Sequence, residues 1–364
     1  MNFSFSKCKK EFEKRSFVWL LLSIAIALSV FSHSMVWREW YYPTYGNTNI
    51  HVATAQHILK HWEYPLQNDY SYGGGIPSLY VPGYRLVLAG TIAIVGSVDF
   101  ASRLLVMLFA LLLPIGFFLF ARQLFGDYAG VAAAFFASLP AELLIYTVRP
   151  LPQAMGLTLL PFAFYAIAAG RKKLAVALSL ATALTHQEAA VFLAVGVFAY
   201  ALADTAIESF KRKKISLPKG IAWIALLCWA ATVLAYVGWH YFVMGDFNVF
   251  GLAQFSNHEG NVVLFNDFVS KTGWVLSALG IAGIVMLASK NVFRPSKQEI
   301  LLLTLGIIGF IFIKNELLGI RVFMDRFIVF LQIPLAILAA FALKEICGHA
   351  SQLTRHILFP AKSE

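Results

Sequence analysis

Eleven apolar runs follow one another along the chain, and they restrict its fold more than any other feature of the sequence. Several are near or below the roughly 17 residues that a helix needs to cross a bilayer. Only 13% of the residues are charged, against about 25% in a typical soluble domain. The sequence therefore predicts an all-α, polytopic integral membrane protein. The runs are residues 17–31, 82–97, 104–121, 128–147, 153–170, 174–186, 189–206, 221–243, 273–289, 299–313 and 327–343.

The distribution of Lys and Arg between these runs orients the predicted spans. If residues 82–97 do not cross the membrane, 20 of the 29 basic residues lie on the cytoplasmic side and 9 lie outside. If that run crosses, the numbers become 11 and 18, against the positive-inside rule. The first run is followed by no small-x-small cleavage site, so we interpret it as an uncleaved span. The sequence thus predicts about ten transmembrane helices, a juxtamembrane or re-entrant helix over residues 82–97, and two cytoplasmic termini.

This topology predicts a single transmembrane domain over residues 1–364, with short cytoplasmic termini and a long exterior loop over residues 37–81. The net charge of +10 is then explained by basic clusters that face the cytoplasm and contact anionic membrane lipids. We therefore expect no nucleic-acid partner. The three cysteines are scattered along the chain, which predicts neither a disulfide nor a cysteine metal site.

A polar stretch in the exterior loop, YGNTNIHVATAQHILKHWEYP over residues 45–65, stands out from its apolar surroundings. A turn at Asn47 followed by apolar residues at helical spacing predicts a short amphipathic helix. Asn47, Asn49 and His51 then either cap this helix at the membrane interface or belong to a substrate site. His51 is expected to be an interfacial side chain that packs little and has a near-neutral pKa suited to a base.

Other residues of the exterior loop also have two interpretations. His57 and His61 stand four residues apart, a spacing that could place two metal-binding imidazoles on one helix face. No third ligand is visible in the sequence, so we assign no metal site and leave a divalent cation open as a cofactor. Asp69 precedes a glycine run at residues 73–75, which is either a loop that folds the short helix back or a mobile cover over a substrate.

Charged residues at the ends of the later runs are the remaining candidates. Arg149 either snorkels at the membrane edge or binds a phosphate group. His186 and Glu188 interrupt the apolar stretch TALTHQEAAVF. A carboxylate between two short spans needs water or a partner, which indicates a functional site.

The last candidates precede the final apolar run. Arg321, Asp325 and Arg326 either form an ion-pair network among themselves or clamp a polyprenyl phosphate. Arginine suits the second role because its guanidinium group donates two parallel hydrogen bonds to phosphate.

The order of these segments resembles the membrane-embedded glycosyltransferases of the GT-C superfamily. A first span is followed by a turn and helix of the form G-x-x-x-x-H-x-x-x-A, and then by YGGGIPSLYVPGYRL and a half-buried helix. Next come an Arg-led span, SRLLVMLFALLLPIGFFLFARQLFG, and a span that ends in SLPAELLIYTVRPLP. The resemblance covers roughly residues 17–207 and includes oligosaccharyltransferase catalytic subunits and protein mannosyltransferases, which use polyprenyl-phosphate-linked sugars.

One position departs from the pattern of this superfamily. Its first exterior loop presents an aspartate at the turn, as a base or metal ligand, whereas this chain has Asn47 there. The resemblance then implies that His51, Glu63 or Asp69 substitutes for that aspartate, or that the chain binds a lipid-linked sugar without this chemistry.

The resemblance implies a glycosyltransferase that moves a sugar from a polyprenyl-phosphate-linked donor to an acceptor on the exterior face. Its catalytic residues would be Asn47, His51 and Glu188, with His51 or Glu188 as the base. The substrate-binding residues would be Asn49, Asp69, Arg149, His186, Arg321 and Arg326. Two alternatives are left open, namely a catalytically inactive GT-C-like scaffold and a transport protein that binds a lipid or a small solute.

Overall fold

The computed structural model describes residues 5–39, 48–68, 76–78, 80–245, 262–291 and 295–358, and these residues are almost entirely helical. The first seven helices are α1 (Phe5–Glu39), α2 (Thr48–His61), α3 (Gly83–Val95), α4 (Val98–Phe125), α5 (Asp127–Ser138), α6 (Ala141–Thr147) and α7 (Pro152–Ala168). The next seven are α8 (Lys172–Ala183), α9 (Gln187–Arg212), α10 (Ile221–Met244), α11 (Phe265–Thr272), α12 (Trp274–Asn291), α13 (Lys297–Ile313) and α14 (Ile328–Leu358). A 3₁₀ turn, Asn315–Leu318, and a two-residue antiparallel ladder of β1 (Gln67–Asn68) with β2 (Ile76–Pro77) are the other elements. The all-α prediction is confirmed.

Five helical segments are long and apolar enough to cross a bilayer, so the chain is a multi-pass membrane protein. They are Arg15–Ser34 within α1, the helices α4, α9 and α10, and Ile328–Ala350 within α14. Two bent pairs, α5 with α6 and α11 with α12, raise the number to seven if each pair is one span.

The prediction of ten spans is not confirmed, because several apolar runs form helices that are short or broken. Helix α8 has 12 residues, and at 1.5 Å per residue it reaches only about 18 Å, short of the roughly 30 Å hydrocarbon core. The run predicted over residues 128–147 bends by 71° between α5 and α6. The bend falls at Pro140, whose extended backbone (ψ 126°) precedes α6.

Helix α3 has 13 residues, about 20 Å in length, which agrees with the prediction that residues 82–97 do not cross the membrane. It ends at Gly96, whose left-handed backbone (φ 73°) glycine adopts without strain. On its buried face, Tyr84 packs in one apolar cluster with Ala55 of α2 and Phe109 of α4. This cluster holds both short helices against the long ones.

The beginning of α3 is joined to the turn between α8 and α9. The backbone N–H of Gly83 donates to the carbonyl oxygen of Leu184 at 2.6 Å. A Cβ atom at residue 83 would lie only 2.6 Å from that same oxygen, so the close approach requires glycine. This contact brings the segment after α2 to the beginning of α9.

Helix α14 lies at the centre of the C-terminal half. Every residue from 327 to 342 is buried, and α14 packs against α5, α12 and α13. A helix that is apolar on all sides is a core helix. Its first turn therefore sits inside the bundle, next to the residues described below.

Candidate active site

Polar side chains from distant parts of the sequence meet at one end of the bundle. The ring centroids of His51 and Tyr80 are 4.9 Å apart, and those of Tyr80 and His186 are 6.4 Å apart. The ring of His186 stacks on that of Phe330 in α14, with centroids 6.4 Å apart. These contacts join the segment after α2, the α8–α9 turn and the beginning of α14. We call this group the polar cluster, and it comprises His51, Tyr80, Arg85, His186, Glu188 and Arg326.

Arg85, in the first turn of α3, is the most connected member of the polar cluster. Its side chain is buried, with 2% of the residue exposed. The Nε atom donates to Nδ1 of His51 at 3.1 Å. The Nη1 atom donates to the Tyr64 hydroxyl at 2.7 Å and to Ser78 Oγ at 2.8 Å. A buried cation is stable only with such partners, so Arg85 holds the segment after α2 in place.

Arg85 is one of the nine basic residues expected outside the membrane, and the sequence did not place it in the site. The signal was present, because Arg85 lies within the apolar run 82–97. An ionised side chain in such a run needs a specific partner and indicates a functional site. The identity of its partners, Tyr64 and Ser78, has no comparable signal in the sequence.

The expectation that His51 is a loosely packed interfacial side chain is wrong. Only 2% of His51 is exposed, because α2 packs on α3 and places the imidazole between Arg85, Tyr80 and Tyr84. Burial lowers the pKa of His51 well below 6.5, and the charge of Arg85 lowers it further. The imidazole is therefore neutral at pH 7. Since its Nδ1 accepts from Arg85, its proton is on Nε2, which makes that atom a hydrogen-bond donor.

Glu188 and Arg326 form an ion pair across 138 residues of sequence. Arg326 Nη1 donates to Glu188 Oε1 at 3.2 Å. The carboxylate lies in the first turn of α9, where the helix dipole favours a negative charge. The Glu188 side chain is 5% exposed and that of Arg326 is 45% exposed. The pair therefore has a buried anionic half and a cationic half that remains accessible.

His186 is the N-cap of α9. It connects the part of the polar cluster around Arg85 and His51 with the Glu188–Arg326 ion pair. Its Nδ1 accepts a hydrogen bond from the backbone N–H of Ala189 at 3.3 Å, which caps the helix. Burial, followed by the charge of Arg326, lowers the pKa of His186 to about 3. His186 is therefore neutral at pH 7.

Arg149 lies near the polar cluster, beside Tyr146. Its guanidinium carbon is 5.5 Å from the ring centroid of Tyr146. The hydroxyl of Tyr146 interacts electrostatically with Arg326 and Glu188. Arg149 thus supplies a second cation at the same end of the bundle.

Two of the predicted site residues are not brought into the cluster. Asn49 is exposed in the first turn of α2, and Arg321 is exposed in the loop before α14. Within the described part of the chain, neither has a hydrogen bond or ion pair with a cluster residue. Asn47 and Asp69 lie outside the described residues. The alternative of a network among Arg321, Asp325 and Arg326 is not observed, because the ion pair of Arg326 is with Glu188.

The two histidines considered as a metal pair are close in space. The rings of His57 and His61 have centroids 4.5 Å apart, and His57 Nε2 is 3.6 Å from Glu63 Oε1. Over the ranges that the structure describes, no group of three or more His, Cys, Asp or Glu side chains is placed to hold a metal ion. The arrangement of these side chains does not test whether a divalent cation is a cofactor.

Comparison with solved structures identifies the fold. The chain superposes on the archaeal oligosaccharyltransferase AglB from Archaeoglobus fulgidus, solved with an inhibitory peptide and a dolichol-phosphate, with a TM-score of 0.67 and 15% identity. It superposes on ArnT from Cupriavidus metallidurans, bound to undecaprenyl phosphate, with a TM-score of 0.65 and 16% identity. The matches cover 96% and 94% of this chain. The resemblance to the GT-C fold is therefore confirmed over nearly the whole chain.

The likeness is one of fold and not of close sequence relationship. The chain spans 53% of the length of the oligosaccharyltransferase and 64% of the length of ArnT. No family model matches the sequence, and no curated protein matches it.

Proposed function

We propose that this protein is a glycosyltransferase that moves a sugar from a polyprenyl-phosphate donor to an acceptor at the end of the bundle that holds the polar cluster. The observation that carries the proposal is the Glu188–Arg326 pair, whose arginine is half exposed beside a buried carboxylate. The fold is shared with two proteins solved with a dolichol-phosphate and with undecaprenyl phosphate. A lipid-linked phosphate is accordingly the ligand that we assign to the accessible arginine.

Arg326 is assigned to the phosphate of the donor. A guanidinium group has five N–H donors, and the hydrogen bond to Glu188 comes from Nη1 alone. The accessible part of Arg326 can then donate two parallel hydrogen bonds to phosphate oxygens. Arg149 is assigned to the same anion as a second cation, since positive charge near the leaving phosphate stabilises it as negative charge develops.

Glu188 is assigned as the general base. The nucleophilic oxygen of the acceptor attacks the anomeric carbon of the sugar and forms the new glycosidic bond. The bond from that carbon to the phosphate oxygen breaks, and the polyprenyl phosphate leaves with the bonding electron pair. The acceptor proton passes to the Glu188 carboxylate. His51 is no longer assigned as a base, because its Nδ1 accepts from Arg85 and its proton is on Nε2. Its neutral Nε2–H is assigned as a donor to the substrate.

The roles of Asn47, Asn49, Asp69, His186 and Arg321 follow from the same proposal. Asn47 is assigned to hold the acceptor, and Asn49 and Asp69 to contact it. His186 positions Glu188 by capping α9. Arg321 is assigned to the outer part of the donor phosphate, because it is exposed on the segment that leads to Arg326.

Binding of undecaprenyl phosphate to the purified protein tests the donor site. Removal of Arg326 alone would take away the cation that pairs with the buried Glu188 carboxylate, at a cost of about 3–5 kcal/mol. The informative variant is therefore Arg326→Ala combined with Glu188→Gln. We expect its affinity to fall about tenfold to hundredfold, since a charge-assisted hydrogen bond contributes about 1.5–3 kcal/mol. Arg326→Lys should lose less, because it keeps the charge but not the two parallel bonds.

The matched control is the double variant Arg122→Ala and Asp127→Asn. Arg122 Nε and Asp127 Oδ1 are 2.6 Å apart, and this arginine side chain is 49% exposed, close to the 45% of Arg326. It should bind undecaprenyl phosphate as the wild type does. Wild-type affinity in the Arg326→Ala and Glu188→Gln double variant would remove Arg326 from the donor site.

Glu188→Gln alone separates catalysis from binding in the same preparation. The amide can still accept from Arg326, so donor affinity should stay within about threefold, while turnover should fall by about 10²–10⁴ through loss of the base. Measurable binding with no sugar transfer by the wild type, over a range of acceptors, would contradict the enzyme and favour the inactive scaffold.

A further inference from the structure

A cavity of about 450 Å³ lies where α9 ends and α10 begins. We call it the basic pocket, and its polar lining includes Asp204, Thr205, Arg212, Lys214, Lys219 and Lys297. Lys297 comes from the first turn of α13, so the wall is formed by α9, the loop between α9 and α10, and α13. A concave, polar space of this size can hold a small charged group.

The basic pocket is remote from the polar cluster. Glu188 lies in the first turn of α9 and Arg212 is its last residue. The 24 residues between these positions on α9 correspond to about 36 Å at 1.5 Å per residue. A ligand in the basic pocket is therefore distinct from the donor and acceptor of the proposed reaction.

The charges of the basic pocket leave a positive excess. Lys297 Nζ is 3.1 Å from Asp204 Oδ2, and Arg212 Nε is 2.9 Å from Glu208 Oε2. Both acidic residues are thus already neutralised by a neighbour. Lys214 and Lys219 also line the cavity, and the described residues provide no ion pair for either. The pocket is therefore suited to an anion.

The turn after α9 holds these lysines in a defined geometry. The backbone N–H of Lys214 donates to Ser209 O at 3.2 Å. The backbone N–H of Ser216 donates to Ser209 Oγ at 3.0 Å. Thr205 also lines the cavity, and its buried Oγ1 has no hydrogen-bond partner among the described residues. A buried hydroxyl without a partner costs free energy, and a hydrogen bond to a ligand oxygen would offset that cost.

Large exposed apolar side chains accompany the cations of the basic pocket. Ile215 and Leu217 line the pocket and are 95% and 77% exposed, and Phe210, in the last turn of α9, is 88% exposed. These residues lie at the junction of α9 and α10, two helices that are each long and apolar enough to cross a membrane. Exposed apolar residues beside cations, at the end of two such helices, match a lipid with an anionic headgroup. A water-soluble anion needs no such apolar rim.

We infer that the basic pocket binds the phosphate headgroup of an anionic phospholipid, with Lys214 and Lys219 on the phosphate and the apolar rim on the upper acyl chains. Thr205 Oγ1 donates to a headgroup oxygen. The lipid thereby joins the α9–α10 turn to the beginning of α13.

Titration of the purified full-length protein with phosphatidylglycerol, followed by native mass spectrometry, tests this site. The variant Lys214→Gln with Lys219→Gln should bind the first phosphatidylglycerol molecule about tenfold to hundredfold more weakly, because it loses two charge-assisted contacts. Thr205→Val, which keeps every charge, should weaken binding about threefold to tenfold. The control is Lys172→Gln with Lys173→Gln, which removes two exposed lysines outside the pocket.

The control should retain wild-type affinity to within about threefold, and phosphatidylcholine should bind wild type more weakly than phosphatidylglycerol. An equal loss of affinity in the two lysine double variants would show that diffuse surface charge, and not the basic pocket, binds the lipid. Equal affinity for the two lipids would contradict the assignment of an anionic headgroup. Displacement of phosphatidylglycerol by equimolar glycerol phosphate would contradict the assignment of a lipid and identify a soluble phosphate as the ligand.

Discussion

Two arginines of the polar cluster differ in what they can do, and the difference lies in their exposure. Arg85 is buried and donates to three acceptors, His51, Tyr64 and Ser78. Arg326 donates to one carboxylate and keeps 45% of its side chain accessible. Arg85 is therefore a positioning residue that acts through His51 and the surrounding loop, whereas Arg326 can meet a ligand directly.

Arg85→Ala is expected to lower the free energy of unfolding by about 3 kcal/mol or more. Each buried acceptor that loses its donor costs about 1–3 kcal/mol, and Arg85 serves the buried His51 and Ser78 and the partly buried Tyr64. Arg85→Lys keeps a charge and part of the hydrogen bonding, so its loss should be intermediate. The apparent melting temperature in detergent measures both effects.

Arg122→Ala is the control for this comparison, because it breaks a partly exposed ion pair with Asp127 and such pairs contribute at most about 1 kcal/mol. Equal melting temperatures for Arg85→Ala and Arg122→Ala would contradict a central role of Arg85. If Arg85 is a positioning residue, Arg85→Lys should bind undecaprenyl phosphate more tightly than Arg85→Ala does, and it should also be more stable.

At the scale of elements, the site depends on how α3 meets the α8–α9 turn. The hydrogen bond from Gly83 to Leu184 places Arg85, two residues later, beside His51 and near His186. The helix is too short to span a bilayer and is held by its packing against α2 and α4. A small displacement of α3 would therefore move Arg85 and His51 away from Glu188 and Arg326.

Gly83→Ala and Gly90→Ala, both in α3, should change stability in opposite directions. A Cβ atom at residue 83 would stand 2.6 Å from Leu184 O, whereas at residue 90 nothing lies within 4 Å. Gly83→Ala should destabilise by about 1–3 kcal/mol through overpacking and weaken binding of undecaprenyl phosphate. Gly90→Ala should stabilise by about 0.5–1 kcal/mol, because glycine is unfavourable inside a helix. Thermal unfolding measures the change in stability of both variants. If both substitutions stabilise the protein, α3 is free to move away from the α8–α9 turn.

At the scale of the whole molecule, basic residues gather at the end of the bundle away from the polar cluster. Lys297 pairs with Asp204, and the neighbouring Gln298 donates from its side chain to Ala168 O at 3.4 Å. These contacts bring the basic segment 171–173 close to the basic pocket. The structure thus has two chemically different ends, and the positive-inside rule predicts that the more basic end faces the cytoplasm.

Cysteine labelling in intact cells checks this orientation. With Cys8 and Cys347 replaced by serine, a membrane-impermeant thiol reagent should label Glu63→Cys and should label Lys172→Cys only after permeabilisation. The Glu63 side chain is 71% exposed, and Lys172 is exposed as well, so access across the membrane is the only difference between the two sites. Labelling of Lys172→Cys in intact cells would reverse the predicted topology and place the polar cluster inside.

Individual segments show how far the sequence alone could lead. The apolar runs predicted the helices, and the prediction from charge that residues 82–97 do not span is consistent with the 13-residue length of α3. The polar triplet around Glu188 was recognised because a carboxylate among apolar residues needs a partner. The short run 174–186 was visible in the sequence but was counted as a span, whereas the bend at Pro140 was missed, because hydropathy averaged over a window does not report where the backbone turns.

What the sequence determined by itself is local: the helical character of each apolar run, its membrane environment, and the presence of charges that need partners. The tertiary structure alone decided which partners those are. Arg326 forms an ion pair with Glu188, 138 residues away, and Arg85 donates a hydrogen bond to His51, 34 residues away. His51 was expected to be a surface base, and in the structure it is a buried, neutral hydrogen-bond donor. Hydropathy and spacing act over one or two helical turns, whereas burial and the position of a proton depend on which helices pack together. The pKa of a side chain follows its surroundings, and for His51 those surroundings exist only after α2 and α3 have packed.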